Sequence, residues 1–581
     1  MSQSPNLEAQ LYFALGLRSS EAQEYERAIA NFERATQLKP DYFQAYYHRG
    51  IVLGYLGRIE EAIASYGKAT QIKPDYLEAW YNLGIALGYN SRPTEALTCL
   101  EVVLELQPDH DLAWYNRAVA LYDLGHLEEA VISYNKATQL QPDNDSAWYN
   151  RGNALSDLGR YEEAVASFDR ATQINPDSHE AWNNRGSALG YLGRYQEAVA
   201  SFDRATQIHP DKSEAWYNRG NALSDLGWYE QAIACYDKTL EINRDSPETW
   251  NNRGKALGNW GRYEEAITSF ERAIQIQTNF PEAWYNQGIA LEELKRYQEA
   301  IISYARATQF QPDFAAAWNN RGMALFNLGR YQEAIGNYDR AVAIEPEFYE
   351  CWYNRGMALF NLEIYEEAVA SYDRAIAIKP DLYQAHYNRG NALSNLGRYE
   401  EAISSYERVI EIQTDHYKAY HNLGKVLYDL GRLVQALDSY DQALKFQPDL
   451  PETWNNRGIV LDELGRYEEA VASYERATQL QSDYLEAWNN RGIALAYLKR
   501  YSEAVASYNR ANQIQPDNAD TFYNQACCYA LQGNVEQALF YLQQAINLNP
   551  ERYRNMPKTD SDFEIIRTDE RFQVLIQEHS N

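Results

Sequence analysis

Cysteine, basic charge and long apolar runs are all scarce in this 581-residue chain, and each shortage removes a class of function. The five cysteines (Cys99, Cys235, Cys351, Cys527 and Cys528) form no spaced framework, and the adjacent pair is poor disulfide geometry. Such usage points to a reducing, cytoplasmic setting. Lys and Arg number 53 against 82 Asp and Glu, a net charge of −29, which argues against a phosphate-tracking surface and so against nucleic acid as a partner. Every apolar stretch is broken by charges or Asn well short of a membrane span. Met1 to Pro5 hold no basic segment followed by an apolar one, so no secretory signal is read. The nine histidines are scattered and none is ligand-spaced with Cys or carboxylate, so neither metal nor cofactor is expected. What abounds is Tyr, with 48 copies, and Trp, with 13, a skew that suggests one short pattern copied many times.

The period is explicit. Pro40, Pro74, Pro108, Pro142, Pro176 and Pro210 stand 34 residues apart, and the register resumes at Pro312, Pro346, Pro380, Pro448, Pro516 and Pro550. Arg244, Thr278, Thr414 and Ser482 take the proline's place without disturbing the spacing. Sixteen units therefore run over residues 9–552, after a lead-in of 1–8 and before a segment of 553–581.

One unit gives the local physics. Across 145–178, Trp148, Gly152, Leu155 and Leu158 lie on one face of a helix, and Tyr161, Ala164, Val165, Phe168, Ala171 and Ile174 on one face of a second. Gly159 stands where a helix ends in a left-handed residue; Pro176 stops the second helix, and Asp177 offers an acceptor to the next. The place of Gly152 is Gly in fourteen units and Ala in two (Ala118, Ala526), and that of Ala164 is Ala in all sixteen. Small residues at a crossing let two backbones approach. The Trp148 place, Trp in eleven units, reads as core.

The wording W-Y-N-R-G-x-A-L-x-x-L-G-R-Y-E-E-A-x-x-x-[FY]-x-x-A and then Pro, at Trp148 to Pro176, resembles the tetratricopeptide repeat. The resemblance implies an all-α fold, an α-solenoid in which stacked helix pairs form a right-handed superhelix. First helices would line its concave groove. Residues 553–581, with Phe563, Ile565, Ile566, Phe572, Val574, Leu575 and Ile576 among acids, read as short amphipathic helices capping the last unit, with a partner-binding tail as the alternative.

The candidate site is a row of asparagines. One place in fourteen consecutive units holds Asn82, Asn116, Asn150, Asn184, Asn218, Asn252, Asn286, Asn320, Asn354, Asn388, Asn422, Asn456, Asn490 and Asn524. On the repeat's template this place faces the groove. A carboxamide both donates and accepts, so such a line suits the backbone of an extended peptide. It is similar to the asparagine line in the repeat superhelix of O-linked N-acetylglucosamine transferase. The bland reading is that each Asn bonds the neighbouring unit; on the groove reading, changing Asn252, Asn286 and Asn320 together to Ala weakens partner binding while melting stays nearly unchanged.

The residue just before the Asn is Tyr at Tyr47, Tyr81, Tyr115, Tyr149, Tyr217, Tyr285, Tyr353, Tyr387 and Tyr523, and Asn at Asn183, Asn251, Asn319, Asn455 and Asn489. Tyr gives stiff, amphipathic contact area, as in adaptable binding surfaces. A further groove place holds Asp123, Asp157, Asp225, Asp429, Glu293 and Glu463. A lining of amide, phenol and carboxylate with little basic charge suits a neutral or basic extended segment. Family members that bind acidic chaperone tails clamp a carboxylate with Lys and Arg from successive units. Here Lys418 alone falls in such a place, and Asn422 stands for the Arg, which argues against that clamp. The Arg after the ladder Asn, as at Arg151, reads as structural, pairing with Glu162 or Glu163.

No catalytic pattern is present, because 25 of the 31 glycines occupy the two architectural places and paired Glu recur as helix surface. The expectation is a non-catalytic scaffold or adaptor for other proteins. The alternatives are an oligomerising array that uses its ends or convex face, and a substrate-presenting subunit of an enzyme on another chain.

Overall fold

The computed structural model describes residues 5–577, so the first four residues of the lead-in and the last four of the tail, His579 among them, lie outside the described residues. The described residues form α-helices and two short 3-10 segments, with no strand. They fall into two compact units, the first ending at Leu294 and the second beginning at Lys295. In each, first helices of 13 residues alternate with second helices of 14, as in Asp145–Asp157 and Tyr161–Ile174, or Pro451–Glu463 and Tyr467–Leu480. The opening helix is longer, Pro5–Glu21, and starts ahead of residue 9. Within each unit every repeat helix packs on the next, and successive first helices also touch, as Pro247–Asn259 touches Pro281–Glu293 and Pro451–Glu463 touches Leu485–Tyr497. Each unit is thus an α-solenoid whose first helices make one continuous face.

The turn inside each pair follows from one backbone device. Gly159 has φ +73°, its N–H donates to the Ser156 carbonyl at 2.9 Å, and the Arg160 N–H donates to the Leu155 carbonyl at 2.8 Å. Side chains other than glycine's pay roughly 1–2 kcal/mol in this region. Even so, Gln23, Ser91, Lys295, Glu363 and Lys499 adopt it at φ between 56° and 61°. At the other end of the pair the cap differs from the sequence expectation. It is Ser178, not Asp177, whose side chain accepts from the Ala181 N–H, at 3.3 Å, and Asn144 serves the preceding pair in the same way. The cap must be the last non-helical residue, and Asp177 lies one residue too early.

The invariant small residues have a steric cause. A Cβ placed on Gly152 would lie 2.5 Å from Cε1 of Phe168, and one on Gly458 equally close to Cε1 of Tyr474. The aromatic ring of the second helix fills the space that the first helix's glycine leaves. All sixteen alanines at the Ala164 place are 0–1 % exposed.

The recurrent Trp and Arg sit differently from what their spacing implies. The tryptophans at the Trp148 place are half-buried, not core. Trp148 Nε1 donates to the Pro142 carbonyl at 3.1 Å, and the Arg151 guanidinium lies 5.6 Å from the ring centre, so the indole staples a first helix to the preceding turn. Where Arg244, Thr278 or Ser482 replaces the proline, its carbonyl accepts the same bond. The recurrent Arg is structural, but not through Glu162 or Glu163. Arg185 joins Asp169 of the preceding second helix at 2.6 Å to Ser201 of its own second helix at 2.6 Å, and Arg253, Arg355, Arg389 and Arg457 repeat this pattern. Glu163 pairs instead with Arg160.

After Pro550–Tyr553 the tail makes 3-10 turns at Met556–Lys558 and Ser561–Ile566, then the helix Glu570–Gln577. Phe563, Ile566, Phe572 and Ile576 are buried in one cluster with Leu542 and Ile546 of the last pair, whereas Ile565 and Val574 remain exposed. All five cysteines are buried and unpaired. No helix among the described residues is long and apolar enough to cross a membrane.

Candidate binding surface on the first helices

The asparagine row and the row before it are bonded to each other, one pair after another. Asn82 donates its amide nitrogen to the Tyr47 hydroxyl at 3.0 Å, Asn116 to Tyr81 at 3.2 Å, and Asn150 to Tyr115 at 3.0 Å. Asn184 and Asn252 do the same with Tyr149 and Tyr217, and in the second unit Asn388 and Asn422 with Tyr353 and Tyr387, all at 2.9–3.2 Å. Where the preceding row holds Asn, its carbonyl oxygen accepts. Asn218 donates to Asn183, Asn286 to Asn251, Asn354 to Asn319 and Asn490 to Asn455, at 3.0–3.2 Å. Each partner lies 35 residues back because the donor is one residue past the acceptor's place in the repeat. Asn320, Asn456 and Asn524 continue the row on Ala315–Asn327, Pro451–Glu463 and Ala519–Leu531, and Tyr285 stands on Pro281–Glu293.

These carboxamides are half-buried, Asn354 being fully so. They are not equally committed. Asn184 also donates to Asn153 at 2.9 Å and accepts from Asn183 at 3.3 Å, and Asn252 also donates to Asn221 at 3.2 Å. Asn82, Asn150 and Asn388 make the single bond to tyrosine, which leaves one amide N–H and the carbonyl oxygen of each without a partner among the described residues. The inter-unit bond is therefore part of the row's role, and Asn252 and Asn286 do not stand free as their removal without loss of stability would require. Burial raises the pKa of the Tyr81, Tyr115 and Tyr353 hydroxyls, keeping them protonated.

The hollows of this surface lie against the row. One over Asn184 is lined by Tyr122, Asp157 and Tyr191, and another over Asn218 by Tyr191, Phe202 and Asp225. Acidic groove residues are tied in as well: the Tyr122 hydroxyl donates to Asp157 at 2.5 Å and that of Tyr428 to Glu463. One hollow, of about 760 Å³, departs from the expectation of little basic charge. Lys418, His421 and Lys425 meet there beside Asn422, Asn456 and Glu452. His421 bonds the Thr453 hydroxyl through Nδ1 at 2.8 Å, and burial holds its pKa below the usual imidazole value. The signal was present in the sequence, since one unit carries all three departures, but only the fold shows that they share a wall.

Asp462 is a further residue the pattern did not single out. Its place holds Ser156, Ser224 and Ser394 in other units. Burial pushes its carboxyl up to about 6, against the hydrogen bond that the Tyr474 hydroxyl donates at 2.6 Å, and Oδ1 is buried without a partner. The unfolded carboxyl titrates near 3.9. The folded chain therefore takes up a proton between pH 6 and 4 that the unfolded chain does not, so this group's penalty is present at pH 7 and vanishes as pH falls. Asp462→Asn is expected to raise stability by about 1 kcal/mol at pH 7, a figure discounted for partial exposure, and by almost nothing near pH 4. Urea unfolding of both proteins at the two pH values checks this; an equal gain at both would refute it.

On the helix Ala519–Leu531, Tyr523 donates to Asp560 of the tail at 2.6 Å, and the Cys527 thiol lies with Asp560 and Asp562 within 4.8 Å. Burial and the two acids push the thiol's pKa well up, which keeps it a protonated partner of Asp562 in holding the tail.

Tetratricopeptide-repeat models match 149–211, 251–313, 305–347, 319–383 and 455–519, and also 381–449, 417–483, 213–246, 519–552 and 77–110; a further repeat model of the type matches 21–57, 52–90 and 120–159. No curated protein matches. Among solved structures, the tetratricopeptide protein YrrB, described as having an unusual peptide-binding site, is 27% identical, with 32% of this chain and 95% of that one covered at a TM-score of 0.30. MamA is 22% identical over 30% of this chain and 94% of its own, TM-score 0.29. Naa15/Naa10 bound to HypK-THB is 14% identical over 98% and 99%, TM-score 0.31. With family models matching nearly end to end and helix pairs repeating in the same register, the chain belongs to the tetratricopeptide repeat family.

Proposed function

We propose that this chain is a non-catalytic, cytoplasmic scaffold that holds an extended segment of another protein along its first helices. The observation that carries this reading is the uneven commitment of the ladder. Asn82, Asn150 and Asn388 keep an unused N–H and carbonyl oxygen in half-buried positions, and Asn82 lines a hollow walled by Tyr81, Tyr89 and Tyr115. Their spare groups match the donor and acceptor of a peptide unit, so the path of a bound segment would be fixed by its backbone. Asp123, Asp157 and Asp225 along the same surface favour neutral or basic segments, and the Lys418–Lys425 hollow is the local exception.

The test is photo-crosslinking in native extract, with a benzophenone amino acid at Tyr191 on a first helix or at Ile132 on a second, both exposed. Partner adducts from Tyr191 and none from Ile132 are expected. The reverse pattern would favour an oligomerising array that works through its outer helices.

A further inference from the structure

Three departures from the repeat converge on one hollow of the first unit. The ring that every second helix offers to the facing glycine is Phe or Tyr in fourteen units and Leu in two, Leu100 and Leu542. The hollow that Leu100 floors measures about 540 Å³, against about 340 Å³ for its counterpart over Phe202, although Leu100 and Phe202 are themselves both buried. The second departure is Pro93, which lines the wall where the counterpart has Tyr195. The third concerns Tyr89. Tyr191 and Tyr497, at the same place in other units, stack on Tyr161 and Tyr467 with ring centres 4.7 and 4.8 Å apart and planes 10° apart. The residue that would stack on Tyr89 is Ile59, and Tyr89 is 84 % exposed.

The chain itself shows what fills such a place. Leu542, the other leucine, is buried in one cluster with Phe563 and Phe572 of the tail. Over Leu100 no tail residue lies. The walls there are Tyr81, Tyr89 and Tyr115, and the one charged lining residue is Asp123.

We propose that the hollow over Leu100 is a subsite for a single aromatic side chain, delivered by a neutral or basic segment of a partner protein. A flat ring entering it lies over the buried Leu100 and gains offset or edge contacts with three tyrosines. Asp123 at the rim favours a basic neighbour over an acidic one. Asn82 and Asn116 of the ladder also line this hollow, so the subsite deepens the groove reading, and the ligands below are too short to follow the ladder from repeat to repeat.

The test uses N-acetyl-phenylalaninamide, followed by saturation-transfer NMR on the full chain. Saturable binding centred on the ring protons is expected, at least threefold tighter for N-acetyl-Phe-Arg-amide than for N-acetyl-Phe-Asp-amide. Leu100→Phe, which restores the aromatic ring found at this place in fourteen units, should keep or raise the melting temperature while weakening binding at least tenfold. Tyr89→Ala, at an exposed site, should weaken it several-fold and decides the matter should Leu100→Phe misfold. Absence of saturable binding, equal binding by Leu100→Phe, or equal binding of N-acetyl-leucinamide would overturn the subsite. None of these outcomes touches the ladder, whose role is measured by its own variants.

Discussion

Gly152→Val is expected to destabilise the first unit by about 3 kcal/mol, the upper end of what overpacking a core costs. The added Cβ alone would stand 2.5, 2.8 and 2.8 Å from three ring atoms of Phe168, a ring that is itself fully buried and has nowhere to retreat. Gly152→Ala should cost less, because Ala118 and Ala526 show that one methyl is accommodated when the surroundings adjust. The control lies nearby. A Cβ on Gly190, also inside a first helix, would meet nothing within 4 Å. There, Gly190→Ala should stabilise by up to about 1 kcal/mol through helix propensity alone. Urea midpoints of the three variants check the set. A Gly152→Val midpoint equal to wild type would mean that helix crossing is not limited by the ring.

Replacing Asn82, Asn116 and Asn150 together by Ala is expected to cost roughly 3 kcal/mol, about 1 for each bond to Tyr47, Tyr81 and Tyr115. Stability and binding therefore have to be read separately, with binding measured per folded molecule well below the transition. Tyr47→Phe, Tyr81→Phe and Tyr115→Phe in one chain remove the same bonds but keep the carboxamides. If the carboxamides hold a peptide backbone, the Asn variant loses partner capture at least tenfold per folded molecule and the Tyr variant loses much less. Equal losses in both would make the row purely an inter-unit fastener.

The helix pairs, the left-handed turn and the small-residue crossing were all legible in the 34-residue spacing. Each depends on residues close in sequence, or on a facing place that the period repeats. The cap was misplaced by one residue because Asp177 and Ser178 are both good caps, and only the helix boundary separates them. Trp148 reads as core by size and spacing, yet its N–H needs an acceptor, and the Pro142 carbonyl at the surface supplies it. The Arg partners were missed for a related reason. Arg185 reaches one residue on each of two second helices, 16 positions back and 16 forward, and no local window contains both.

For the candidate surface the division is sharper. The sequence by itself determined which residue types stand in each row, because a fixed period carries a side chain to the same face in every copy. It could not say whether an asparagine was spent or spare. That was decided by the distance between successive first helices, which brings Asn82 to Tyr47 and lets Asn184 reach both Tyr149 and Asn153. The hollow over Leu100 and the meeting of Lys418, His421 and Lys425 were likewise decided by packing, since a cavity is the volume neighbours fail to fill. Periodicity fixes the rows, and the contacts between copies fix what each row has left to offer.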